Sequence, residues 1–156
     1  MATFPGVGDK LPDIALTAPD GGTIRPPDFA GKRLVVFFYP KDDTPGCTVE
    51  NQEFSALAGE FAARGAALLG VSKDSPARHA KFAAKYDLKA PLASDAAEGG
   101  LSDALGFWAE KQNYGRSYMG MVRSTVLVGG DGRILRIWPK VKAKGHAAEV
   151  LAALDD

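Results

Sequence analysis

The chain has few cysteines, no net charge and no long apolar run. Its single cysteine, Cys47, cannot form an internal disulfide, which fits a compartment that keeps thiols reduced. Nineteen basic residues balance nineteen acidic ones, so the chain lacks the charge signature of a nucleic-acid-binding protein. No apolar run could cross a bilayer, and residues 1–6 lack the basic and apolar segments of a signal peptide. We therefore expect a cytoplasmic protein with neither nucleic-acid nor membrane partners.

Internal repeats and metal-ligand clusters are also missing. With 156 residues, 46% of them hydrophobic, the chain suffices for one domain, and we expect a single domain over residues 1–156. Two separated histidines and one cysteine make no metal-binding cluster. The glycines at 6–8 and 129–132 lack the strand–loop–helix context of a phosphate-binding loop and are typical of turns. The sequence thus predicts neither a metal nor a cofactor.

Hydrophobic periodicity predicts an alternation of strands and helices in the first half of the chain. The predicted strands cover residues 13–17 and 23–25 (a hairpin around the turn at 20–22), 34–39, 66–72, 124–128 and 133–138. Helices are predicted from Thr48 through Phe61 to a stop at Gly65, from Ser75-Pro76 to Tyr86, over 100–105 and over 147–154. Strand–helix–strand order implies parallel pairing, and the later hairpin adds antiparallel strands. We expect an α/β protein with a mixed central sheet flanked by helices, although this pattern fits more than one mixed-sheet fold.

Cys47 lies just past the apolar run 34–39, where a buried strand ends and a helix begins. In open α/β sheets, ligands bind beyond the carboxyl ends of the strands. The free N–H groups and the dipole of a helix N-terminus favour a thiolate, the nucleophilic form of cysteine. The alternative is that Cys47 is only a small buried apolar residue, which is the common role of a lone intracellular cysteine.

The residues around Cys47 favour a functional role. Pro45 and Gly46 shape a tight turn that lets backbone N–H groups approach the sulfur. Thr44 precedes Cys47 by three residues, so its hydroxyl could bond to the sulfur or to an oxygen ligand. Arg123, directly before a predicted strand of the same sheet, is the best candidate for a cation beside the thiol, but the residues alone favour a solvated surface charge for it.

The segment FFYPKDDTPGCTVE, residues 37–50, closely resembles the active-site signature of peroxiredoxins of the Q type, also called bacterioferritin comigratory proteins. Further matching segments follow in order: GVSKDS (70–75), HAKFAAKY (79–86), SD (94–95), YGRSYMG (114–120), RST (123–125), WPKVK (138–142) and GH (145–146). The resemblance runs from about Gly8 to Leu154. Its core, Pro-x-x-x-Thr-x-x-Cys together with a downstream arginine, is specific.

This resemblance implies a thiol-dependent peroxidase with a thioredoxin-like fold. Cys47 would be the peroxidatic cysteine, and Thr44 would align the peroxide. Pro40 would shield the sulfur from water, and Arg123 would hold the thiolate and polarise the O–O bond. Backbone N–H groups of Gly46 and Cys47 would help to bind hydrogen peroxide or an organic hydroperoxide.

Glu50 also matches the family pattern. Its predicted place is the first helical turn, where a carboxylate suits the helix dipole. We therefore expect Glu50 to order this turn rather than to take part in the chemistry.

The chain departs from the family pattern in having no resolving cysteine. Many Q-type members carry one five residues after the peroxidatic cysteine, where this chain has Gln52, and others carry it on the next helix. A sulfenic acid at Cys47 would then be reduced by an external thiol, such as thioredoxin, glutaredoxin with glutathione, or a small thiol. By analogy with many Q-type relatives, we expect a monomer.

Two other functions stay open at this point. Cys47 oxidation could serve a redox sensor or holdase that signals without sustained turnover. A thiol–disulfide oxidoreductase is less compatible with the chain, because Thr44 and Glu50 occupy the positions at which a Cys-x-x-Cys pair would need its second cysteine.

Several other polar and aromatic residues allow more than one interpretation. His79 is predicted to pack on an apolar helix face, and His146 to cap a helix or lie on the surface. Trp108, Tyr114 and Tyr118 fit either the rim of the active site, as the resemblance implies, or ordinary packing.

Overall fold

A computed structural model describes residues 4–96 and 99–155. Residues 1–3, part of the segment used for the signal-peptide prediction, lie outside this range. The strands are β1 (Leu16–Thr17), β2 (Thr23–Ile24), β3 (Arg33–Phe38), β4 (Ala66–Ser72), β5 (Leu92–Ser94), β6 (Trp108–Asn113), β7 (Arg116–Met121), β8 (Ser124–Val128) and β9 (Ile134–Trp138). The helices are α1 (Pro45–Ala56), α2 (Ala58–Ala63), α3 (Pro76–Tyr86), α4 (Leu101–Ala104) and α5 (His146–Ala153), with a short 3₁₀ helix at Pro26–Phe29.

The main sheet has seven strands in the order β2-β1-β5-β4-β3-β8-β9. Strands β3, β4 and β5 are parallel, whereas β8 runs antiparallel to β3 and pairs with β9 as a hairpin. The predicted N-terminal hairpin forms with Leu16 opposite Ile24, and it joins the sheet edge through Thr17 and Ser94. The prediction of a mixed central sheet with an N-terminal hairpin is therefore confirmed.

Strand β3 is buried on both faces, which accounts for its uninterrupted apolar sequence. Because alternate side chains of a strand point to opposite faces, its residues enter two separate cores. Val35 and Phe37 pack with residues of α1, α2, α3 and α5, while Val36 and Phe38 pack with residues of α4 and the segment around Met121. The sheet is thus covered on both sides, as predicted.

Several parts of the fold differ from the prediction. The single helix predicted from Thr48 to Gly65 is divided into α1 and α2, and strand β5 was not predicted. The helix after β3 begins at Pro45 rather than near Thr48, since proline suits the first helical position. A separate two-stranded sheet, β6–β7, was not predicted, because its residues do not alternate between apolar and polar. Its two-residue turn places Tyr114 at φ 52° and Gly115 at φ 76°, the positive values that a tight hairpin needs.

Neither a membrane-spanning helix nor a cluster of metal-ligating side chains is found in the described part of the chain. No helix within residues 4–96 and 99–155 combines the length and the apolar character that a bilayer crossing requires. In the same residues, no three His, Cys, Asp or Glu side chains come together in an arrangement that could hold a metal ion.

Candidate active site

Cys47 is the third residue of α1 and lies just beyond the carboxyl end of β3. Thr44 has the extended backbone of an N-cap residue, and Pro45 starts the helix. The residue Cys47 is 1% exposed and belongs to the core on the α1 side of the sheet. The sulfur is therefore buried, yet it lies within the first turn of a helix whose neighbouring residues Pro45 and Val49 are exposed.

Arg123 contacts the sulfur directly. Its Nη2 donates to Cys47 Sγ at 3.3 Å. The antiparallel register places Phe38, the end of β3, opposite Ser124, the start of β8. Because Arg123 immediately precedes β8, this register places it beside the carboxyl end of β3. The chain continues from that end of β3 to Cys47.

Gly46 leaves the space that the guanidinium occupies. A Cβ atom at position 46 would lie 3.1 Å from Arg123 Nη2, closer than most side-chain contacts. The predicted role of this glycine was to let backbone N–H groups approach the sulfur. The structure adds a second reason for a residue without a side chain, because a Cβ atom here would require the guanidinium that contacts Cys47 to shift by a few tenths of an ångström.

Glu50 is the second partner of Arg123. Its Oε1 accepts a hydrogen bond from Arg123 Nη1 at 2.7 Å, and the residue is fully buried. Burial raises the pKa of Glu50 to about 7, although the charge and hydrogen bond of Arg123 act in the opposite direction. Its other oxygen, Oε2, has no hydrogen-bond partner among the described residues.

The position of Glu50 corrects one expectation. Because α1 begins at Pro45, Glu50 lies in the second helical turn and not in the first. The helix dipole acts mainly on the terminal turn, so it does not explain a carboxylate here. The ion pair with Arg123, at the start of β8, explains the carboxylate at this position.

The guanidinium of Arg123 bridges the carboxylate and the sulfur with two different nitrogen atoms. Burial lowers the pKa of Arg123, but the charges of Glu50 and Cys47 and the hydrogen bonds to both together outweigh this effect and raise the pKa. The guanidinium therefore keeps its charge in a partly buried site. Such a fixed cation stabilises a thiolate next to it.

Lys111 is a second cation near the site that sequence reasoning missed. It lies on β6, and burial, followed by the charge of Arg123, lowers its pKa, while Cys47 acts in the opposite direction. A Cβ atom on Gly120 would lie 3.0 Å from Lys111 Cδ, so the glycine leaves room for the lysine stem across β7. The sequence did not predict the β6–β7 hairpin that carries Lys111, so it gave no reason to place this lysine near Cys47.

Thr44 and Pro40 lie on the loop between β3 and α1. The hydroxyl of Thr44 donates to the carbonyl oxygen of Lys41 at 2.8 Å. The prediction named the Cys47 sulfur or an oxygen ligand as the partner of this hydroxyl. Among the described residues, the hydroxyl bonds to the Lys41 carbonyl and not to the sulfur. Pro40 directly follows Tyr39, the last residue of the buried run, and is partly buried itself.

The two histidines are both buried. His79 does lie on the inner face of α3, but its ring also bonds to Asp42, which a packing role alone did not predict. The expectation of a surface or capping role for His146 is wrong. This residue is 3% exposed, and its Nε2 lies 2.8 Å from Thr125 Oγ1, because α5 folds back against the sheet.

The three aromatic residues of the β6–β7 region differ in their surroundings. Trp108 packs against the core on the α4 side of the sheet. Tyr114, at the hairpin turn, is 98% exposed, and Tyr118 is 49% exposed. Ordinary packing thus explains Trp108 but not the two tyrosines.

Comparison with known proteins identifies a family for almost the whole chain. Residues 7–137 match the model of the AhpC/TSA family. A curated relative, peroxiredoxin Bcp of Bacillus subtilis strain 168, is 43% identical over 150 residues, which are 96% of this chain and 95% of the relative.

Solved structures give the same picture. The bacterioferritin comigratory protein of Xanthomonas campestris, described for its alkyl peroxide reduction activity, superposes with a TM-score of 0.89 at 42% identity and covers 96% of this chain and 98% of its own. PrxQ of Xylella fastidiosa, in a mutant form, superposes with a TM-score of 0.91 at 36% identity and covers 99% of this chain and 98% of its own.

Proposed function

The chain belongs to the AhpC/TSA family as a peroxiredoxin of the Bcp or Q type with a thioredoxin-like fold, and we propose that it reduces peroxides through a sulfenic acid on Cys47. The family supports thiol peroxidase activity in general. The observation that supports the proposed chemistry is the contact of Arg123 Nη2 with Cys47 Sγ at 3.3 Å. It puts a fixed positive charge beside the only sulfur that can act as a nucleophile in this chain.

The first step is an in-line displacement at oxygen. The Cys47 thiolate attacks one oxygen of the peroxide, an S–O bond forms, and the O–O bond breaks with both of its electrons. The leaving oxygen departs as hydroxide or alkoxide and takes a proton from solvent or a nearby donor. Negative charge therefore spreads from sulfur to the leaving oxygen, and preorganised donors along that line lower the barrier.

Arg123 is the proposed main donor for this charge. Its position is set by Glu50, which holds Nη1 while Nη2 faces the sulfur. A guanidinium suits this task because its donors are planar and rigidly spaced. Glu50 then acts as a positioning residue for Arg123, which is a different role from the predicted one of ordering the helical turn.

Thr44 and Pro40 have proposed roles in shaping the peroxide site. Rotation of the Thr44 side chain away from the Lys41 carbonyl would let its hydroxyl donate to the peroxide oxygen that the sulfur attacks. The ring of Pro40 would limit the access of water. Backbone N–H groups of Gly46 and Cys47, which are unpaired by the helix at its first turn, complete the set of donors.

Regeneration requires an external thiol and an opening of the site. The first thiol attacks the sulfenic sulfur, water leaves, and a mixed disulfide forms; a second thiol then releases the Cys47 thiol and a disulfide product. A disulfide brings two sulfurs to about 2 Å. Since Cys47 is 1% exposed, the first turn of α1 has to open before a thiol reaches that distance.

The proposed setting is a monomer in the cytoplasm, where thioredoxin, glutaredoxin with glutathione, or a small thiol supplies the electrons. Steady-state consumption of NADPH, measured with each reductase system in turn, tests the proposal. Sustained turnover that is lost in Cys47→Ser supports it. One oxidation per chain without turnover under every reductant contradicts it and favours a redox sensor or holdase.

A further inference from the structure

The loop between β3 and α1 carries two consecutive carboxylates, and both are held by α3. The Asp43 carboxylate accepts hydrogen bonds from Lys85 Nζ at 2.8 Å and from Tyr86 Oη at 2.7 Å. The backbone of Asp43 has φ 58°, in the left-handed region that few residues adopt without support. The contacts with α3 supply that support on the outer side of the loop.

Asp42 anchors the inner side of the same loop. It is 2% exposed, and its Oδ2 lies 2.6 Å from His79 Nδ1. Its Oδ1 accepts from the Tyr39 hydroxyl at 2.5 Å, and its backbone N–H donates to Asp74 Oδ2 at 2.8 Å. Burial, followed by the charge of Asp42, raises the pKa of Tyr39 well above its usual value, so the phenol keeps its proton as the donor.

His79 connects this carboxylate to strand β5 of the main sheet. The ring is fully buried, and its Nε2 lies 3.1 Å from the Ala93 carbonyl oxygen. A carbonyl oxygen only accepts, so Nε2 carries a hydrogen. Nδ1 faces a carboxylate oxygen of Asp42 at hydrogen-bond distance, and this contact lies inside the core. Hydrogen bonds that involve a charged group and exclude water are strong ones.

We infer that His79 is a positioning residue for the peroxide reaction, acting through Asp42 to hold the loop that leads into the first turn of α1. Two residues after Asp42 the chain reaches Thr44, and three residues later Cys47. A shift of about 1 Å in reacting groups can slow an enzyme on the order of a hundredfold. This inference rests on the proposed peroxidase function, and it adds a residue outside the immediate surroundings of the sulfur.

Two substitutions of His79 separate positioning from simple core packing. In His79→Asn the amide nitrogen takes nearly the place of Nδ1 and can still donate to Asp42. In His79→Gln the amide nitrogen takes nearly the place of Nε2 and can donate to the Ala93 carbonyl but not to Asp42. Both variants lose the ring, so both are expected to lose stability.

The measurement is the second-order rate of Cys47 oxidation by hydrogen peroxide, followed by mass spectrometry of quenched samples, together with the melting temperature. We expect His79→Asn to react within about threefold of wild type and His79→Gln to react about tenfold or more slowly. Equal rates in the two variants, or rates that simply follow the melting temperatures, would overturn the inference.

If wild type itself does not react with peroxide, the proposed function fails. If wild type reacts and the two histidine variants react equally, only the inferred role of His79 fails and the proposed function stands. If either histidine variant does not fold, Asp42→Ala tests the same contact from the loop side, because it removes the carboxylate that His79 Nδ1 contacts. We expect oxidation about tenfold or more slower than wild type, and an unchanged rate would overturn the inference.

Discussion

Arg123 donates through Nη2 to the sulfur of Cys47 at 3.3 Å, although 76 positions separate the two residues in the chain. The antiparallel pairing of β3 with β8 creates this contact, because it aligns the end of one strand with the start of the other. The same guanidinium holds Glu50 with its other terminal nitrogen. The site is therefore a row of three side chains, carboxylate, guanidinium and sulfur.

Arg123→Lys should slow the oxidation of Cys47 by peroxide about a hundredfold, the usual loss when one donor to a developing negative charge is removed. A lysine keeps the positive charge but cannot contact Glu50 and the sulfur with two rigid donors. The measurement is the second-order rate with hydrogen peroxide. Arg64→Lys is the matched control. Arg64 pairs with Asp155 at a partly exposed site, so Cys47 in this variant should be oxidised at the wild-type rate. Equal rates in the two variants would show that the Arg123 contact does not matter.

Glu50 should make the stability of the fold depend on pH near neutrality. In the folded protein its pKa is raised by burial to about 7, against an ordinary value of 4.5. Between these values the folded state binds the proton and the unfolded state does not, so the free energy of unfolding falls as the pH rises through this range. The side chain of Glu50→Gln does not titrate, so this variant should lack that pH dependence.

The test compares the free energies of unfolding of wild type and Glu50→Gln in urea at about pH 5 and about pH 8. Between these two pH values, the free energy of unfolding of Glu50→Gln should rise relative to that of wild type by on the order of 2 kcal/mol. Glu60→Gln, at an exposed position, serves as the control and should show no comparable gain. A Glu50→Gln difference that stays constant with pH would mean that Glu50 is already ionised throughout.

Thr44→Val should slow oxidation about tenfold or more, while Thr44→Ser should stay within about threefold of wild type, because only the serine keeps a donor for the peroxide oxygen. The hydroxyl also bonds to the Lys41 carbonyl, so a loss of loop structure has to be separated from a loss of this donor. Alkylation of Cys47 by iodoacetamide does that, since it needs no hydroxyl donor. Parallel losses in oxidation and alkylation would assign Thr44 to loop structure only.

Lys111→Gln should slow oxidation about threefold to tenfold, because it removes a partly buried cation whose charge interacts with Cys47. Lys111→Arg should retain most of the rate at low ionic strength. Lys89→Gln is the control, since Lys89 is exposed and pairs with Asp87 away from the sulfur. An unaffected rate in Lys111→Gln at low salt would remove this lysine from the site.

Most elements of the main sheet follow from local sequence. The strand over 66–72 and the helix that begins at Ser75-Pro76 are confirmed at the predicted bounds, because an apolar run and an N-cap followed by proline are local signals. Ser75 does cap the helix, accepting from the backbone N–H of Arg78. The start of α1 was placed too late, although Thr44-Pro45 is a signal of the same kind.

What was missed depends on contacts between distant segments. Strand β5 has only three residues, too few for a periodic pattern. The β6–β7 hairpin has charged residues on both strands, and only the glycine at 115 within a two-residue turn indicated it. The pairing of Glu50 with Arg123 and that of His79 with Asp42 each join residues far apart in the chain, so no local pattern could predict them.

The most direct test of the central claim is mass spectrometry of the intact chain after a single equivalent of hydrogen peroxide, with an external thiol added in a second step. The account predicts one added oxygen atom on Cys47, which is then replaced by a thiol adduct and finally by the free thiol. An unmodified Cys47, or a dimer joined through Cys47 of two chains as the main product, would contradict it.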